Sequence, residues 1–541
     1  MHWLTKPAPS IMASLLAFAS GASMVVSFAP FGLWPAAPLA LALFYHLLQR
    51  QSSAVPSLSG RGGRAAFRLG WLFGVGLFGF GIFWIRISLN EFGNMSGPVA
   101  NALMLLFVAL LALFYALAAW VTWRLIQSLQ RPPGAPRWMG PLLVFPAVWV
   151  LFEWLRGWLF TGFPWLLAGN GQINALPVIG APLAGLAPVL GVHGLSLAVA
   201  LCAGLLWMAI YALGRARYGA LGAVALLLLF GSGLGPWQWT APDGAPIRAT
   251  VVQGNVEQSV KWNPNRLLPT LEVYLQLTRD NLGSDLIVWP ETAIPDFLHQ
   301  VEQSLIEPLA ETARAAGSEI VIGVPIIESR ERYYNALISI GSVHGRYYKR
   351  HLVPFGEFLP FKAQLRPLID WFDVPMSDFS RGQAEQPLLR VGGNQVGVSI
   401  CYEDVFPDQV REALPEAAYL INVSNDAWFG DSLAPHQHLE FARLRALENG
   451  RALVRATNTG ISAIIDHRGR VVGSIPSFVR GSYSADIQPR SGLTPFSRWG
   501  SLPVLLIACL MLLVAVLPSS RVRATIRRRI GRPMRDQGRR S

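Results

Sequence analysis

Three residues of different chemistry stand at or just past the ends of apolar, strand-like runs: Glu291 in IVWPETAIP, Lys349 in GRYYKRHLVPFGEF and Cys401 in VGVSICYEDVFP. A carboxylate, an amine and a thiol are the parts needed to transfer an acyl group through a thioester. Each also has an ordinary reading. Glu291 follows Pro290 and could cap the next element as a helix N-terminal carboxylate. Lys349 has Arg346 and Arg350 beside it and could lie on a solvated basic edge strand, while Cys401 could be a core thiol. Glu357 and Glu403 could be surface carboxylates.

The elements around these residues read as an α/β domain over about residues 247–488. ATVVQGN, SDLIVWPE, EIVIGVP, ALISIG, QVGVSIC, AYLINVSN and ALVRATN are short, apolar, β-branched runs. Helix-like stretches at 266–281, 301–316 and 435–447 separate them, and this alternation predicts layered strands and helices. SAIIDHRGRVVGSI predicts a hairpin turning at 467–469, and 381–395 and 476–481 read as loops. The chain is therefore expected to divide into a transmembrane bundle (1–240), an α/β domain that carries the three residues (241–490) and a closing span with a basic tail (491–541).

A chain of 541 residues that is 52% hydrophobic, 14% charged and of mean hydropathy +0.37 is far from an average soluble protein. Eight segments are apolar enough to cross a bilayer, which takes about 20 helical residues: 11–28, 33–48, 69–88, 99–120, 140–158, 192–213, 218–234 and 502–517. The first is a retained span rather than a signal peptide, because a second follows at once without a convincing cleavage site. Arg50, Arg61, Arg64 and Arg68 mark the second loop, Arg124, Arg131 and Arg137 the fourth, and Arg215 and Arg217 the sixth. The intervening loops lack lysine and arginine, so the even loops are expected in the cytoplasm and the 247–488 domain on the opposite, periplasmic face. The net charge of +13 owes much to nine arginines between Arg521 and Arg540. That juxtamembrane tail suits anionic lipid headgroups, and no stacking aromatics or base-reading motif accompany it, which argues against nucleic-acid binding.

Three cysteines form no disulfide framework. Cys202 and Cys509 lie in apolar spans as small hydrophobes, whereas Cys401 is a lone thiol in an extracytoplasmic domain. Glu153 and Arg156 read as a local ion pair near the outer end of the fifth span, although an intramembrane carboxylate is a functional candidate by default. The uncharged stretch 161–191 is too interrupted to span and is expected in the outer interface, over the mouth of a lipid site. Trp237 and Trp239 read as an interfacial belt. His436 and His438 are two apart, which on a helix does not put both on one face, so no metal site is expected.

The blocks VVQGNVEQSVKW, VWPETAIP, YYKRHLVPFGEFLP, ICYEDVFP and INVSNDAWFGDSLAPHQHLEFARLRALENGRALVRATNTGISAIID resemble the carbon–nitrogen hydrolase (nitrilase-like) superfamily. More narrowly, they resemble its membrane-anchored apolipoprotein N-acyltransferase family. The resemblance covers nearly the whole chain, most specifically 250–466. It implies a nitrilase-like αββα sandwich joined to an α-helical membrane bundle of about eight spans in a bacterial inner membrane. It further implies that Cys401 is the nucleophile, that Glu291 takes its proton, and that Lys349 and the backbone N–H of Tyr402 stabilise the oxyanion. The Lys349 ammonium would favour the thiolate. Glu357 would support Lys349, Glu403 would be a positioning residue, and Trp262, Tyr402, Trp428 and Phe429 would offer apolar surface to acyl chains or form a lid. Ordinary core packing is the other reading of those aromatics.

The activity so implied is transfer of a fatty acyl group from a membrane phospholipid to the N-terminal α-amino group of an S-diacylglyceryl-cysteine apolipoprotein, by a monomer needing no metal or organic cofactor. A membrane-tethered amidase or nitrilase that gives its acyl group to water is the alternative enzyme. A transporter or lipid-binding receptor is the non-enzymatic one.

Overall fold

The computed structural model describes residues 11–54, 60–130, 136–329, 332–359 and 378–530. Each of the eight expected apolar segments is helical: Ile11–Met24, Ala36–Ala54, Gly60–Gly81, Gly97–Gln130, Phe145–Arg156, Ala187–Tyr211, Arg215–Leu234 and Leu502–Ile530. Among the described residues, three helices are long and apolar enough to cross a membrane alone: Gly97–Leu129, Ala184–Tyr211 and Arg215–Leu234. A fourth crossing counts if the pair Gly62–Gly81 and Ile85–Phe92 is one span, and that pair is bent by 63°. The third expected span is thus broken rather than straight. The fifth is divided as well, with a wider turn at Gly140–Val144 ahead of Phe145–Arg156, where Pro141 and Pro146 each withhold an amide donor. The last residues of the basic tail, 531–541, lie outside the described residues.

Small residues set the spacing of the bundle. A Cβ at Gly70 would lie 2.3 Å from the Tyr115 carbonyl oxygen, and one at Gly74 would lie 2.7 Å from Ala112 Cα. Helices Gly60–Gly81 and Gly97–Gln130 therefore touch backbone to backbone, the close approach that small residues permit in lipid.

Among the described residues fourteen strands follow: β1 (Ala241–Pro242), β2 (Ile247–Gln253), β3 (Leu286–Val288), β4 (Glu319–Ser329), β5 (Arg332–Ile340), β6 (Gly345–Tyr348), β7 (Leu389–Val391), β8 (Asn394–Ile400), β9 (Tyr419–Ser424), β10 (Leu453–Thr457), β11 (Ser462–Ile465), β12 (Val471–Ile475), β13 (Gly481–Ile487) and β14 (Arg490–Ser491). Two six-stranded sheets form, ordered β13-β2-β3-β4-β5-β6 and β12-β11-β10-β9-β8-β7. β2, β3 and β4 run parallel, as do β8, β9 and β10. Alternation along each strand sends one set of side chains between the sheets, where Val251, Val288 and Val321 meet Ile400, Ile421 and Val454. The opposite set packs under helices. Ile287, Ile320 and Ile322 lie under Leu271 and Leu309, and Leu420 and Leu453 lie under Ala442 and Ala446. This makes four layers, helix–sheet–sheet–helix, as the resemblance implied.

The expected hairpin is present as β11 and β12, with Gly469 in a left-handed turn. The stretch 381–395, expected as loop, instead contains β7 and the start of β8. Gly392 and Gly393, with φ of 56° and 75°, form the two-residue turn that pairs Val391 with Asn394.

Helix Ala434–Asn449 joins the two halves of the molecule. Ala442 and Ala446 face the sheet, while Phe441 and Leu444 pack into the bundle core. Its buried polar groups are met from the bundle side: Trp165 Nε1 donates to Gln437 Oε1 at 2.7 Å, and the Ala29 amide donates to Glu440 Oε1 at 3.0 Å.

Candidate active site

Glu291, Lys349 and Cys401 come from the carboxyl ends of three strands. Lys349 directly follows β6, Cys401 directly follows β8, and Glu291 lies three residues beyond β3. Gly323 of β4 lets the Glu291 segment pass close by, since a Cβ there would lie 2.3 Å from the Pro290 carbonyl oxygen. Lys349 is only 1% exposed. Its Nζ lies 2.8 Å from Glu357 Oε1 and 3.2 Å from Glu291 Oε1. Asn335 Nδ2 donates to the same two oxygens, at 3.0 Å and 2.7 Å, and the Val353 amide donates to Glu357 Oε2 at 2.8 Å. Lys349 is therefore no solvated edge residue. Glu291 is no helix cap either, because its carboxylate is spent on Asn335 and Lys349. Burial alone would push the Lys349 ammonium down, but the Glu291 and Glu357 carboxylates outweigh it and hold the group well above the usual lysine range.

Cys401 is buried and has φ of 52°, a left-handed conformation that costs a non-glycine residue about 1–3 kcal/mol and persists only where its surroundings enforce it. Glu403, fully buried, supplies the enforcement. Its carboxylate accepts from the amides of Ile400 (2.8 Å), Arg350 (2.6 Å) and His351 (3.0 Å), from the Tyr347 hydroxyl (3.0 Å) and from Gln409 Nε2 (3.1 Å). One side chain thus ties the Cys401 turn to the backbone that follows Lys349. Burial raises the Cys401 thiol well above its ordinary range, Glu291 and Asp426 raise it further, and Lys349 only partly offsets them. Lys349 thus acts in the thiolate's favour, against burial and the two carboxylates.

The other expected residues are spread around this centre. Tyr402 is buried and its hydroxyl donates to the Gly162 carbonyl at 3.0 Å. Trp262 is exposed, and the adjacent Lys261 is buried with Nζ 3.4 Å from the Glu291 carbonyl oxygen. Burial lowers the Lys261 ammonium to about 8 even with Glu291 opposing. Trp428 and Phe429 differ from each other. Trp428 is 39% exposed, with its ring 5.5 Å from that of Phe92, while Phe429 packs its ring 4.6 Å from that of Trp84.

Two bundle expectations change. Glu153 and Arg156 are both buried and bind separate partners. Glu153 accepts from Trp149 Nε1 and the Ala168 amide, whereas Arg156 donates to the carbonyls of Phe163 (2.5 Å) and Trp165 (2.7 Å). No Glu153–Arg156 ion pair forms among the described residues. Residues 163–173 of the uncharged stretch are almost all buried between bundle and sandwich, so that part of it is a joint rather than an interfacial cover. Cys202 is buried and Cys509 exposed on the last helix.

Sequence reasoning missed Asn335, Lys261 and a buried cluster of Asp404, Asp426, His438 and Arg455. Asn335 lies in an ordinary strand run, YYNALISI, and a lone polar residue between apolar neighbours was the available signal. His438 was weighed only as a metal ligand. No group of residues suited to a metal ion occurs among the described residues.

Comparison with known proteins places this arrangement. The family profile "Apolipoprotein N-acyltransferase N-terminal domain" matches residues 20–205, and "Carbon-nitrogen hydrolase" matches 248–495. A Methylococcus capsulatus protein named apolipoprotein N-acyltransferase is 45% identical over 91% of this chain and 94% of its own. Proteins of the same name from Azotobacter vinelandii (42%; 95% and 96% covered) and Pseudomonas syringae (40%; 97% and 100% covered) are similar over almost their whole lengths. With the thiol, amine and carboxylate standing at the strand ends of a carbon–nitrogen hydrolase domain, and the helical half matched as well, the chain belongs to the apolipoprotein N-acyltransferase family.

Proposed function

We propose that this chain, an N-acyltransferase acting on apolipoproteins, draws its acyl group from a membrane phospholipid and carries it on Cys401. The observation that carries the reading is the buried Lys349, held between Glu291 and Glu357 beside the Cys401 turn. As the Cys401 sulfur attacks the ester carbonyl, its proton passes to Glu291. The Lys349 ammonium and the Tyr402 N–H receive the oxyanion; one such donor is worth about 2.7–4 kcal/mol of barrier. Collapse of the tetrahedral species expels the lysophospholipid, whose oxygen takes the proton from Glu291. The lipoprotein amine then attacks the thioester and gives its own proton to Glu291, and the thiol is restored. Glu357 and Asn335 keep the Lys349 ammonium in place while Glu291 changes charge.

The eight apolar helices anchor the enzyme in the inner membrane, with the sandwich on the periplasmic face, where both acyl chains of the reaction reside. Release of the acyl group to water, as in an amidase, is the second enzymatic reading. A single assay separates them. Protein in micelles with phospholipid and a diacylated lipopeptide yields N-acylated peptide in this account, and Cys401→Ala yields none. Free fatty acid as the sole product would favour the hydrolase, and full product from Cys401→Ala would remove the thiol from the reaction.

A further inference from the structure

Close to the nucleophile lies a second charged cluster that the reaction above does not use. His438 is 1% exposed. Its Nδ1 lies 2.8 Å from Asp426 Oδ1 and its Nε2 3.0 Å from Asp404 Oδ1. Ionised carboxylates only accept hydrogen bonds, so each ring nitrogen carries a proton and the ring is an imidazolium. Arg455 closes the square, 3.2 Å from Asp404 Oδ2 and 3.1 Å from Asp426 Oδ2, and it also donates to Asn422 Oδ1. Two cations therefore face two carboxylates, and the charges balance within the protein. The groups facing His438 are Asp404 on the nucleophile turn, Asp426 on the 426–429 turn and Arg455 on β10. From the bundle comes the uncharged Trp165 ring, at 6.0 Å. Burial and Arg455 push the imidazolium down, but the two aspartates more than reverse this and hold it at about 9.

The same Nε2 faces the carbonyl oxygen of Cys401 at 3.3 Å. That oxygen and the Tyr402 N–H are opposite ends of one peptide unit. A cationic donor at the carbonyl end withdraws electron density through the amide and strengthens the N–H as a donor, the cooperative effect expected along hydrogen-bond chains. We propose that His438 is a positioning residue for the reaction, acting through the Cys401–Tyr402 peptide to orient and polarise the N–H that receives the oxyanion. The proposal rests on the reading of Cys401 as nucleophile. It gives the Asp404–His438–Asp426–Arg455 cluster a task beyond folding.

The test compares two reactions of the same thiol in the full-length protein in micelles. Acyl transfer from a phospholipid with a fluorescent acyl chain passes through an oxyanion. Alkylation of Cys401 by iodoacetamide displaces iodide and forms none. His438→Gln should slow acyl transfer roughly tenfold, less than the 10²–10³ lost when a donor is removed outright, and should leave alkylation near the wild-type rate. Alkylation follows the thiolate and speeds up with pH in any case, so the ratio of acyl transfer to alkylation should fall with pH in both proteins, and more steeply through about 9 in the unmodified protein, where the imidazolium is lost as well. Equal losses in both reactions with a lowered Tm, unchanged acyl transfer in His438→Gln, or the same fall of the ratio with pH in both proteins would each overturn the proposal. Product formation by Cys401→Ala would instead overturn the underlying reading, whatever His438→Gln does.

Discussion

Glu291, Lys349 and Glu357 meet in a buried centre whose charges depend on one another, so variants there should not behave additively. Glu291→Gln and Lys349→Ala are each expected to lose nearly all acyl transfer, because the proposed reaction sends the thiol proton to Glu291 and the oxyanion to Lys349. Asn335→Ala is the more searching change. It leaves Lys349 in place but strips a donor from both carboxylates, and an unsatisfied buried group costs about 1–3 kcal/mol. A fall of about 10- to 100-fold in acyl transfer follows from that energy, measured by N-acylated peptide formed per minute by protein with an unchanged circular dichroism spectrum. Activity near wild type would mean that Lys349 and the Val353 amide orient the two carboxylates without it. The three principal residues were legible in the sequence because each stands in a distinctive block at or just past a strand end. Asn335 and His438 were not, since their roles arise from partners 22 and 44 residues away for the one and 12 and 34 for the other, which only folding brings together.

Strands were easier to read than the joint between the two halves of the molecule. Buried β-branched runs announce themselves by composition, which is why β2, β3, β4, β8, β9 and β10 were anticipated, whereas β7 is three residues long beside a Gly–Gly turn. Helix Ala434–Asn449 was anticipated as a helix but not as the joint, because buried Gln437, His438, Glu440, Arg445 and Glu448 imitate a solvated face in sequence. That burial has a pH consequence. Burial raises Glu440 and Glu448 to about 7, and the flanking aspartates raise His438 to about 9 despite burial. All three folded values exceed the ordinary ones, so each contribution is complete below the ordinary pKa and is lost as pH rises through the folded value. Tm in detergent should therefore fall from about pH 5 to about pH 9, the two glutamates acting up to about 7 and His438 up to about 9, and His438→Gln should flatten the upper part of that fall. A Tm that rises over this interval would contradict the assignment. The 426–429 turn makes a separate prediction: Trp428→Ala should weaken use of long-chain donors more than short-chain ones, and Phe429→Ala, which loses the packing on Trp84, should lower Tm instead. Equal loss for both donor lengths in Trp428→Ala would return that ring to a packing role.

At the scale of the whole molecule, the arginine bias of the loops and the placement of the sandwich after the seventh apolar helix make one topological claim. Protease added to sealed inside-out vesicles should remove the basic tail and spare the 241–490 domain, and the reverse pattern would invert the orientation. The eight expected crossings were legible as helices, but breaks at 82–84 and 140–144 were not, because a window of hydropathy does not register a bend. In the proposed reaction both substrates carry acyl chains that anchor them in the membrane, and seating them together around one buried thiol would crowd it. A ping-pong sequence relieves this, since the lysophospholipid departs before the amine arrives. The proposed acyl-enzyme must then outlast the interval without its acceptor, in a site where Cys401 is only 8% exposed. The most direct measurement is the intact mass of the protein after incubation with phospholipid alone. One fatty acyl group should be found on Cys401, released by hydroxylamine and discharged by a diacylated lipopeptide as the N-acyl product. If no adduct forms until both substrates are present, or if it forms on another residue, the thioester account is contradicted.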